Sequence, residues 1–555
     1  MSISKRGSAS VHIGHTVSIL KDECGVGDVD YIDYNESLFY LYSQIVSEVC
    51  STKNVLPSFL LHQEELQLTD RLVFEEMLGL PRKDQTNQLF QVDGELIEKL
   101  VGIYTLAMES IVNDILASEC DAIIMFVSPE ISHALRLCSL LRKRDTETPI
   151  YIMDNYTFEP AALYFAAPLT GKDVQGENIE ETLACDPLLP ILKERMPEWV
   201  DWVIIGEGYD VIRTIFNSSE RVYDIEGMTY GRDGSFQTRL ADISSPIKRD
   251  DGVHIVESKP IELDSLPLPD FDGMERVFES ADLELARGCS YSCVFCERTS
   301  LFGSTVRFHS IEYMERLVKH ILEYDFSFLN IVDASFNINE DHAVEFLQML
   351  KENGYHFSYS VNIRCRPPNN KLLRLLKETG CEVISMGIEN ADGSVLDSMN
   401  KEQDLPGLYE IVEGINEHDI AVMLFFIIGF PTETLQSVRN TIGFLQAIIE
   451  ETRIGVVELE LYYPGYIQKL GPRLFEQYGI EWTKPHNMKE LETSSRLFLG
   501  TGLYGQVQFT RGMNRWEISE AIIEYQDFFS SHGIKYMMCK PIEAKTDSLQ
   551  TSEHS

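Results

Sequence analysis

The stretch Cys289-Ser-Tyr-Ser-Cys293-Val-Phe-Cys296 places three thiols in one short loop, directly after the run Asp282-Leu-Glu-Leu-Ala-Arg-Gly288. Cysteines with three and two residues between them can point inward from a looping backbone and bind three corners of an iron–sulfur cube. The stretch holds no fourth ligand, so one iron would keep a position open for a molecule that takes part in the chemistry. These residues therefore predict a [4Fe–4S] cluster bound by Cys289, Cys293 and Cys296.

Two other interpretations of the three thiols stay open. Structural zinc takes four ligands, commonly from two Cys-x-x-Cys pairs or from one such pair and two histidines. No second pair of that kind follows the loop in the sequence. Alternatively, the cysteines are small core residues without a ligand, a frequent role of this residue type.

Composition predicts a folded cytoplasmic protein. The 555 residues are enough for about three domains of ~150 residues, and the contents of 44% hydrophobic and 10% aromatic residues are typical of a globular chain. The longest apolar run, Ile420 to Phe430, is shorter than the ~20 residues that cross a bilayer. The first residues lack the apolar segment of a signal peptide, so we expect no membrane partner.

Charge and cysteine content narrow the class of partner. The chain carries 47 basic and 88 acidic residues, a formal net charge of −41, and such a surface repels the phosphate backbone of nucleic acids. The cysteine number, 11, is odd and most cysteines are isolated, which favours reduced thiols over a disulfide framework. We expect no nucleic-acid partner.

The N-terminal part alternates predicted strands and helices. We predict strands over 11–20, 120–128, 149–153 and 200–205, with a helix from Ile131 to Arg144. A strand, a crossover helix and a second strand on this length scale imply a parallel sheet with right-handed connections. The pattern predicts an α/β, doubly wound, Rossmann-like domain.

Gly206-Glu207-Gly208 follows the last of these strands and precedes a helical segment. Such a turn can hold a ligand at the open edge of the sheet, or it can be a plain tight turn. The Pro-rich stretch from Leu263 to Phe271 is stiff, as a linker between domains is. We predict four parts: a Rossmann-like domain at 1–240, a linker at 241–275, a barrel domain at 276–480 and a small C-terminal extension with a disordered tail at 481–555.

Six strand–helix units follow the linker. They are too few for a closed eight-stranded barrel, so they predict an open, partial (β/α)6 barrel. Catalytic groups of such barrels lie at the C-terminal ends of the strands. Besides the cysteine loop, Asp333, Arg364, Glu389 and the Gly429-Phe-Pro431 turn fall at these ends.

With these motifs the chain resembles radical S-adenosylmethionine (SAM) enzymes, and among them the subgroup with an N-terminal cobalamin-binding domain. The cysteine loop, with Phe295 before its last thiol, matches the cluster loop of the family. The resemblance covers roughly residues 115–465. The other motifs that carry it are Arg307-Phe-His-Ser310, Asp333-Ala-Ser-Phe-Asn337, Gly387-Ile-Glu389, Phe426-Ile-Ile-Gly429-Phe-Pro431-Thr-Glu433, Val200 to Gly208 and Leu266-Pro-Leu-Pro-Asp270.

The resemblance implies how SAM is bound and used. Family members place its amino and carboxylate groups on the open iron, and one electron from the cluster cleaves the sulfonium to give a 5′-deoxyadenosyl radical. Glu389 would accept hydrogen bonds from the ribose or the amino group, and Arg364 would pair with the carboxylate. For these two side chains, an ordinary ion pair at the barrel mouth is the alternative. The other implied SAM-binding residues are Phe295, Asp333, Ile428 and Gly429.

The resemblance also implies a cobalamin site in the first domain. Its implied residues are Ser128, Asp154, Gly206, Glu207 and Gly208. Asp154-Asn155 departs from the subgroup, because it stands where a pair of glycines is frequent. In the stretch nearest to the Asp-x-His-x-x-Gly motif, Cys24 stands in place of the histidine, which members of the subgroup commonly lack.

The motifs together predict an enzyme that modifies a natural-product intermediate or a precursor peptide. Cobalamin-dependent methylation of a carbon is the favoured reaction, with an electron donor such as flavodoxin or ferredoxin as partner. Rearrangement, epimerisation or cyclisation on a cobalamin-free N-terminal scaffold is the alternative within the class. A non-catalytic iron–sulfur sensor is the alternative outside it. Methylthiolation of tRNA is disfavoured, because a second cysteine trio and a basic RNA-binding module are missing from the sequence.

Overall fold

Two sheets of mostly parallel strands organise the protein. The computed structural model describes residues 8–29, 108–127, 131–145, 147–154, 166, 196–216, 227–231, 236–237, 252–461 (without 277, 297, 367–368, 404 and 451), 481–482, 507–508, 512–513 and 515–538. The predicted site residue Ser128 and the predicted disordered tail lie outside these ranges. No helix within them is both long enough and apolar enough to cross a membrane.

Strands and α-helices are numbered along the chain. The strands are β1 (Ser8–Ala9), β2 (Ile123–Val127), β3 (Ile150–Asp154), β4 (Trp202–Ile205), β5 (Gly227–Gly231), β6 (Phe236–Gln237), β7 (Gly252–Glu257), β8 (Ser280–Leu283), β9 (Ala286–Arg287), β10 (Arg307–Phe308), β11 (Phe328–Ile331), β12 (Tyr359–Ile363), β13 (Cys381–Glu389), β14 (Ala421–Ile428), β15 (Val456–Leu461), β16 (Glu481–Trp482), β17 (Val507–Gln508) and β18 (Lys535–Met538). The helices are α1 (Val11–Ser18), α2 (Ile131–Arg144), α3 (Tyr209–Phe216), α4 (Arg298–Phe302), α5 (Ile311–Ile321), α6 (Glu340–Glu352), α7 (Asn370–Thr379), α8 (Gly393–Ser398), α9 (Leu408–Glu417), α10 (Leu435–Ile449) and α11 (Arg515–His532).

The N-terminal sheet has the strand order β2-β3-β4-β7-β5-β6. The first four of these strands run parallel, and β5 is antiparallel to β7 and β6. This confirms the Rossmann-like α/β prediction. The predicted linker is wrong at its start, because β7 lies in it and pairs with β4 at the centre of the sheet. The apolar side chains in the run from Val253 to Val256 are buried. They favour a central position in the sheet, because there both faces of the strand are covered by other parts of the protein.

The second sheet is an open parallel barrel with the order β1-β8-β11-β12-β13-β14-β15-β18. The six predicted strands form its centre. One strand from each end of the described chain extends it, since β1 pairs with β8 and β18 pairs with β15, both in parallel. The predicted limits 276–480 therefore miss two strands of the barrel. These strands contain two and four residues, too few to show a hydrophobic period.

Helix α1 replaces the strand that we predicted over 11–20. Ser10 begins the helix, because its hydroxyl accepts a hydrogen bond from the backbone N–H of Ile13 at 3.5 Å. All eight residues of α1 are buried. A helix buried on every side shows no polar face, so its sequence resembles a buried strand.

The Pro-rich stretch packs directly on α1. The Gly14 carbonyl accepts the N–H of Asp270 at 3.0 Å, and Ser18 donates to the Leu268 carbonyl at 2.6 Å. Lys21 forms an ion pair of 2.7 Å with Asp270. The stretch predicted as a linker therefore holds α1 between the two sheets.

Side-chain caps fix where several barrel helices begin. Ser310 caps α5, Asn339 caps α6 and Asn369 caps α7, each by accepting a backbone N–H of the first turn. Thr434 starts α10 with a capping box. Each helix thus starts at a defined residue after its strand, which fixes the strand-end loops.

Glu433 joins the ends of β13 and β14. Its two carboxyl oxygens accept hydrogen bonds from the Gly429 N–H at 2.6 Å and from the Asn390 amide at 2.7 Å. Asn390 accepts from Thr441 at 3.1 Å, and Thr441 is hydrogen-bonded to Tyr525 of α11. Burial raises the pKa of Glu433 to about 8, against the effect of the two hydrogen bonds. This chain of contacts ties two strand ends to the C-terminal helix.

Replacing Glu433 with Gln should change how stability depends on pH. The folded protein holds a proton on Glu433 that the unfolded chain releases above its ordinary value of 4.5, so the contribution of this group to stability falls as pH rises from about 4.5 to about 8. Gln cannot titrate. The free energy of unfolding of Glu433→Gln, measured against wild type by urea titration of the cluster-free protein, should therefore rise relative to wild type between pH 5 and pH 8.

Glu378 is the matched control for this measurement. It is exposed, and its hydrogen bond to Lys351 lowers its pKa. Glu378→Gln should show no relative gain over the same pH range. Parallel pH curves for Glu433→Gln and wild type would contradict the prediction.

Candidate functional site

The cysteine loop connects β9 to α4 and is held by the backbone of two other segments. The N–H of Cys289 donates to the Gly303 carbonyl at 3.3 Å, and the N–H of Val294 donates to the Met399 carbonyl at 3.0 Å. The Asn400 amide donates to the hydroxyl of Ser292 at 2.8 Å. The residues after α8 thus pack on the loop and fix its course.

Gly288 sets the angle at which the chain enters the loop. Its φ of +98° lies in the left-handed region, and a Cβ at this position would overlap the carbonyl of Thr305. A residue with a side chain would therefore have to move the backbone. Glycine here allows Cys289 to follow β9 directly.

The three predicted ligands lie together. None of the three thiols is in a disulfide, and burial raises the pKa of Cys296 to about 11, with Cys293 and Cys289 adding to the shift through their charges. The three thiols are thus close enough for Cys289 and Cys293 to affect the ionisation of Cys296. Across the described ranges, no group of three His, Cys, Asp or Glu side chains is arranged to hold a single metal ion.

Arg364 reaches the loop from the end of β12. Its Nη1 lies 3.6 Å from the sulfur of Cys293, and its guanidinium lies 3.5 Å from the ring centre of Tyr291. Its Nε and Nη2 donate to the Glu402 carbonyl at 2.9 and 2.5 Å. The structure thus places a permanent positive charge beside the middle thiol, against an aromatic face.

Glu389 lies at the end of β13 in a strained backbone conformation. Its φ of +64° is rare for a residue with a side chain, and its carboxylate is buried and binds Lys401 at 2.8 Å. Lys401 also lies 5.6 Å from the ring centre of Phe295. The alternative of an ion pair at the barrel mouth is therefore realised for Glu389, with Lys401 as the partner. Strain of this kind is typical of functional sites.

Asp333 is buried behind the cysteine loop. One of its oxygens accepts the backbone N–H groups of Leu285 and Ala286, at 2.8 and 3.1 Å. Burial raises its pKa to about 7. Asp333 therefore holds the turn between β8 and β9, the segment that leads into the loop.

Ile428 and Gly429 end β14 on the far side of the barrel mouth. Ile428 is buried, and the N–H of Gly429 is occupied by Glu433. A side-chain methyl of Ile518, from α11, packs over Gly429. The C-terminal helix therefore covers this strand end.

Of the residues predicted for cobalamin, the structure describes the surroundings of the turn Gly206-Glu207-Gly208. Asp154 is the last residue of β3, and the turn after β4 is packed against protein. A Cβ on Gly206 would contact the Ser258 carbonyl, and one on Gly208 would overlap Met153. Glu207 is buried, with both oxygens bound by arginines of the barrel. The turn thus acts as a packed connection within the protein.

Three side chains near the loop were not predicted, namely Tyr291, Asn400 and Lys401. Tyr291 lies within the cysteine motif, where its position next to two serines gives no chemical signal. Asn400 and Lys401 lie between α8 and α9, outside any strand end. Only the tertiary packing of α8 brings them to the loop.

A cleft of about 540 Å³ opens beside the loop. It offers two carboxylates, one guanidinium and several apolar side chains. It is lined by Ser290, Val306, Phe308, Ile338, Asn339, Glu340, Asp341 and Arg366. Arg366 donates to the Asn337 carbonyl and Glu340 accepts from the Asn369 amide, so part of this charge is already paired within the protein.

Comparison with known proteins agrees with this geometry. The Radical SAM superfamily matches residues 283–445. An uncharacterized methyltransferase of Pyrococcus horikoshii is 25% identical over 268 residues, which are 47% of this chain and 55% of that protein. The bacteriochlorophyllide d C-12(1)-methyltransferase of Chlorobaculum tepidum is 25% identical over 211 residues, 36% of this chain and 43% of that protein. The chain thus spans about half of the length of the curated relatives it matches.

A solved structure shares the fold. The radical SAM methyltransferase TsrM of Kitasatospora setae, with tryptophan and a SAM analog bound, superposes with a TM-score of 0.50 at 12% identity, over 73% of this chain and 77% of that chain. At this level of identity the similarity concerns the fold alone. The matched residues 283–445 carry the three thiols and the strand ends around them, so this segment is similar to the Radical SAM superfamily, whose domain implies a [4Fe–4S] cluster and SAM as cofactors.

Proposed function

We propose that the protein is a radical SAM enzyme that binds a [4Fe–4S] cluster through Cys289, Cys293 and Cys296 and modifies a small natural-product intermediate or a precursor peptide. The favoured reaction is methylation of a carbon. The observation that carries the proposal is the loop itself, in which three free thiols lie together, anchored by Asn400 and by the backbone of Met399.

The residues around the loop fit the two cofactors. When bound, the cluster supplies the electron that cleaves SAM. Arg364, beside Cys293, would pair with the carboxylate of SAM, because a guanidinium offers several donors to one carboxylate. Glu389 would accept hydrogen bonds from the amino group or the ribose, with Lys401 as the partner that orients it.

The rest of the proposed SAM site follows the strand ends. Phe295 would flank the adenine, since its ring faces Lys401 next to Glu389. The Ile428-Gly429 backbone would lie on the opposite side, held there by Glu433. Asp333 would act by fixing the turn before the loop, because its carboxylate already binds the two N–H groups of that turn.

The names of the relatives support methylation. Two similar proteins are named as methyltransferases, and a third, from Rhodopseudomonas palustris, is named a hopanoid C-2 methylase and is 25% identical over 211 residues, 36% of this chain and 39% of that protein. We propose cobalamin as the methyl carrier. The packed turn at Gly206 to Gly208 does not fit that group, so its contacts would have to come from elsewhere in the N-terminal domain.

The cleft beside Ser290 supports a substrate with both positive and negative groups, such as an amino acid or a peptide. Its lining contains the acidic residues Glu340 and Asp341 and the basic residue Arg366. An electron donor such as flavodoxin or ferredoxin would be the second partner, because the cluster must be reduced in each cycle.

Replacing Cys293 with Ala should abolish both cluster binding and SAM cleavage. The proposed cluster has three protein ligands, and the variant removes the middle one. Iron content and anaerobic formation of 5′-deoxyadenosine, after reconstitution, measure the two effects. Cys381→Ala is the control, since Cys381 is equally buried but begins β13, away from the loop. SAM cleavage that survives in Cys293→Ala would refute the proposal.

Replacing Glu389 with Gln should weaken SAM binding by roughly ten- to hundredfold, the size expected for a lost charge-assisted hydrogen bond. Binding can be measured by equilibrium dialysis on the reconstituted protein. Glu382→Gln is the control, because Glu382 lies on the same strand, is exposed and contacts Ser358. Equal affinities in the two variants would remove Glu389 from the site.

Protein from cobalamin-fed cells should contain close to one corrinoid per chain, visible in its absorption spectrum. Thermal unfolding should also shift to higher temperature when cobalamin is bound, because a ligand that binds the folded state stabilises it. A protein that binds SAM and its cluster but no corrinoid would leave rearrangement, epimerisation or cyclisation as the reaction.

A further inference from the structure

Arg287 lies in a fully buried polar network two residues before the first cluster ligand. Its side chain is 1% exposed. Its Nε donates to Glu284 at 2.7 Å, its Nη1 to Glu207 at 3.1 Å and its Nη2 to the Tyr209 hydroxyl at 3.1 Å. Each of its three nitrogens therefore has a partner, which a buried guanidinium requires.

The network joins the two sheets of the protein. Glu207 and Tyr209 come from the turn after β4 and the start of α3, in the N-terminal sheet. Glu284 and Arg287 come from β8–β9, in the barrel. Arg307, on β10 and paired with β9, binds the second oxygen of Glu207.

Helix α1 closes the network from a third side. The ring of His12 is hydrogen-bonded to the Tyr209 hydroxyl and lies 4.7 Å from its ring centre. Burial lowers the pKa of His12 well below its ordinary value, and the charge of Arg287 lowers it further. The ring is therefore neutral, so the positive charge of the network stays on the arginines.

The position of Arg287 couples this network to the cysteine loop. Gly288 follows with a left-handed φ, and Cys289 comes next. A rotation of the Arg287 backbone would therefore move the first thiol. Because the Glu207 side chain is 3% exposed, removing its charge leaves two arginines facing an uncharged group inside the protein, and such a site relaxes by moving its backbone.

We propose that Arg287 is a positioning residue for the cluster, and that the N-terminal domain sets its position through Glu207. In this proposal the turn Gly206-Glu207-Gly208 does not bind a ligand. It holds the cysteine loop in a fixed position relative to the strand ends that we propose to bind SAM. This inference rests on the proposed function for its effect on SAM cleavage, whereas its effect on the cluster spectrum does not require turnover.

Glu207→Gln tests the proposal in the full-length reconstituted protein. The variant should still load iron, but its reduced cluster should give an altered electron paramagnetic resonance (EPR) spectrum, and the change that SAM causes in the wild-type spectrum should be lost. SAM cleavage should fall by at least roughly tenfold, since a misplaced reacting group loses rate steeply with distance.

Asp201→Asn is the matched control. Asp201 and Arg142 form an equally buried ion pair within the N-terminal domain, and the Asp201 carboxylate also accepts the backbone N–H of Ile150 on β3. This variant should lose thermal stability as Glu207→Gln does and should keep the wild-type spectrum and rate of cleavage. Spectra and rates that are the same in both variants would overturn the proposal.

The triple variant Glu207→Gln, Glu284→Gln and Arg287→Met separates positioning from simple loss of stability. It removes the buried guanidinium together with both of its carboxylate partners, so its unfolding temperature should recover towards wild type. The altered EPR spectrum should nevertheless remain. A triple variant with the wild-type spectrum would show that the arginine has no positioning role. If wild-type protein loads a cluster and cleaves no SAM, the proposed function is wrong. The EPR spectra of the variants still show in that case whether Arg287 positions the cluster.

Discussion

The structure depends on a positive charge buried where its two sheets meet. A guanidinium without water is stable only if every nitrogen has a partner and the charge is balanced. Arg287 finds one carboxylate in its own domain, Glu284, and one in the other, Glu207. The two domains must therefore meet in one arrangement for the charge to be satisfied. Apolar surfaces alone would permit sliding, since hydrophobic contact has no direction.

The candidate site follows from this arrangement and from the parallel barrel. Parallel strands bring their C-terminal ends to one rim, and there Asp333, Arg364, Glu389 and Gly429 each meet a different partner. Most of these partners are backbone groups or buried side chains, so the rim is rigid before any cofactor binds. Rigid placement of polar groups lowers the reorganisation that binding and chemistry require.

Local signals explain which features could be predicted. The spacing of the cysteines predicted the loop, because ligand geometry is set by a few neighbouring residues. Helix α2 shows a helical period, and the six central barrel strands were predicted because strands and helices alternate regularly in that part of the sequence. Helix α1 was predicted as a strand, since a helix buried on all sides has no polar stripe. Strands β1 and β18 were missed because their pairing, which no local pattern records, defines them.

The role of single side chains was less predictable than their location. Glu389 and Arg364 were placed correctly at strand ends, but Lys401, the partner of Glu389, comes from a segment between two helices. Glu207 was expected to face a ligand, whereas it faces two arginines that are 80 and 100 residues away in the chain. Sequence patterns report which atoms a residue can offer. The partner that binds those atoms is decided by contacts between distant segments of the chain, and these contacts exist only in the folded protein.

The N-terminal domain therefore contributes to the site even through residues that touch no cofactor. Its turn after β4 supplies the counter-charge for Arg287, and α1 supplies the neutral ring that completes the network. A domain that only carried a cofactor could meet the barrel through a looser, wetter interface, as many domains do. Here a buried charge network spans the boundary, and breaking it would leave uncompensated charge next to the cysteine loop. The position of Cys289 in the barrel therefore depends on the N-terminal domain, independently of any ligand that this domain binds.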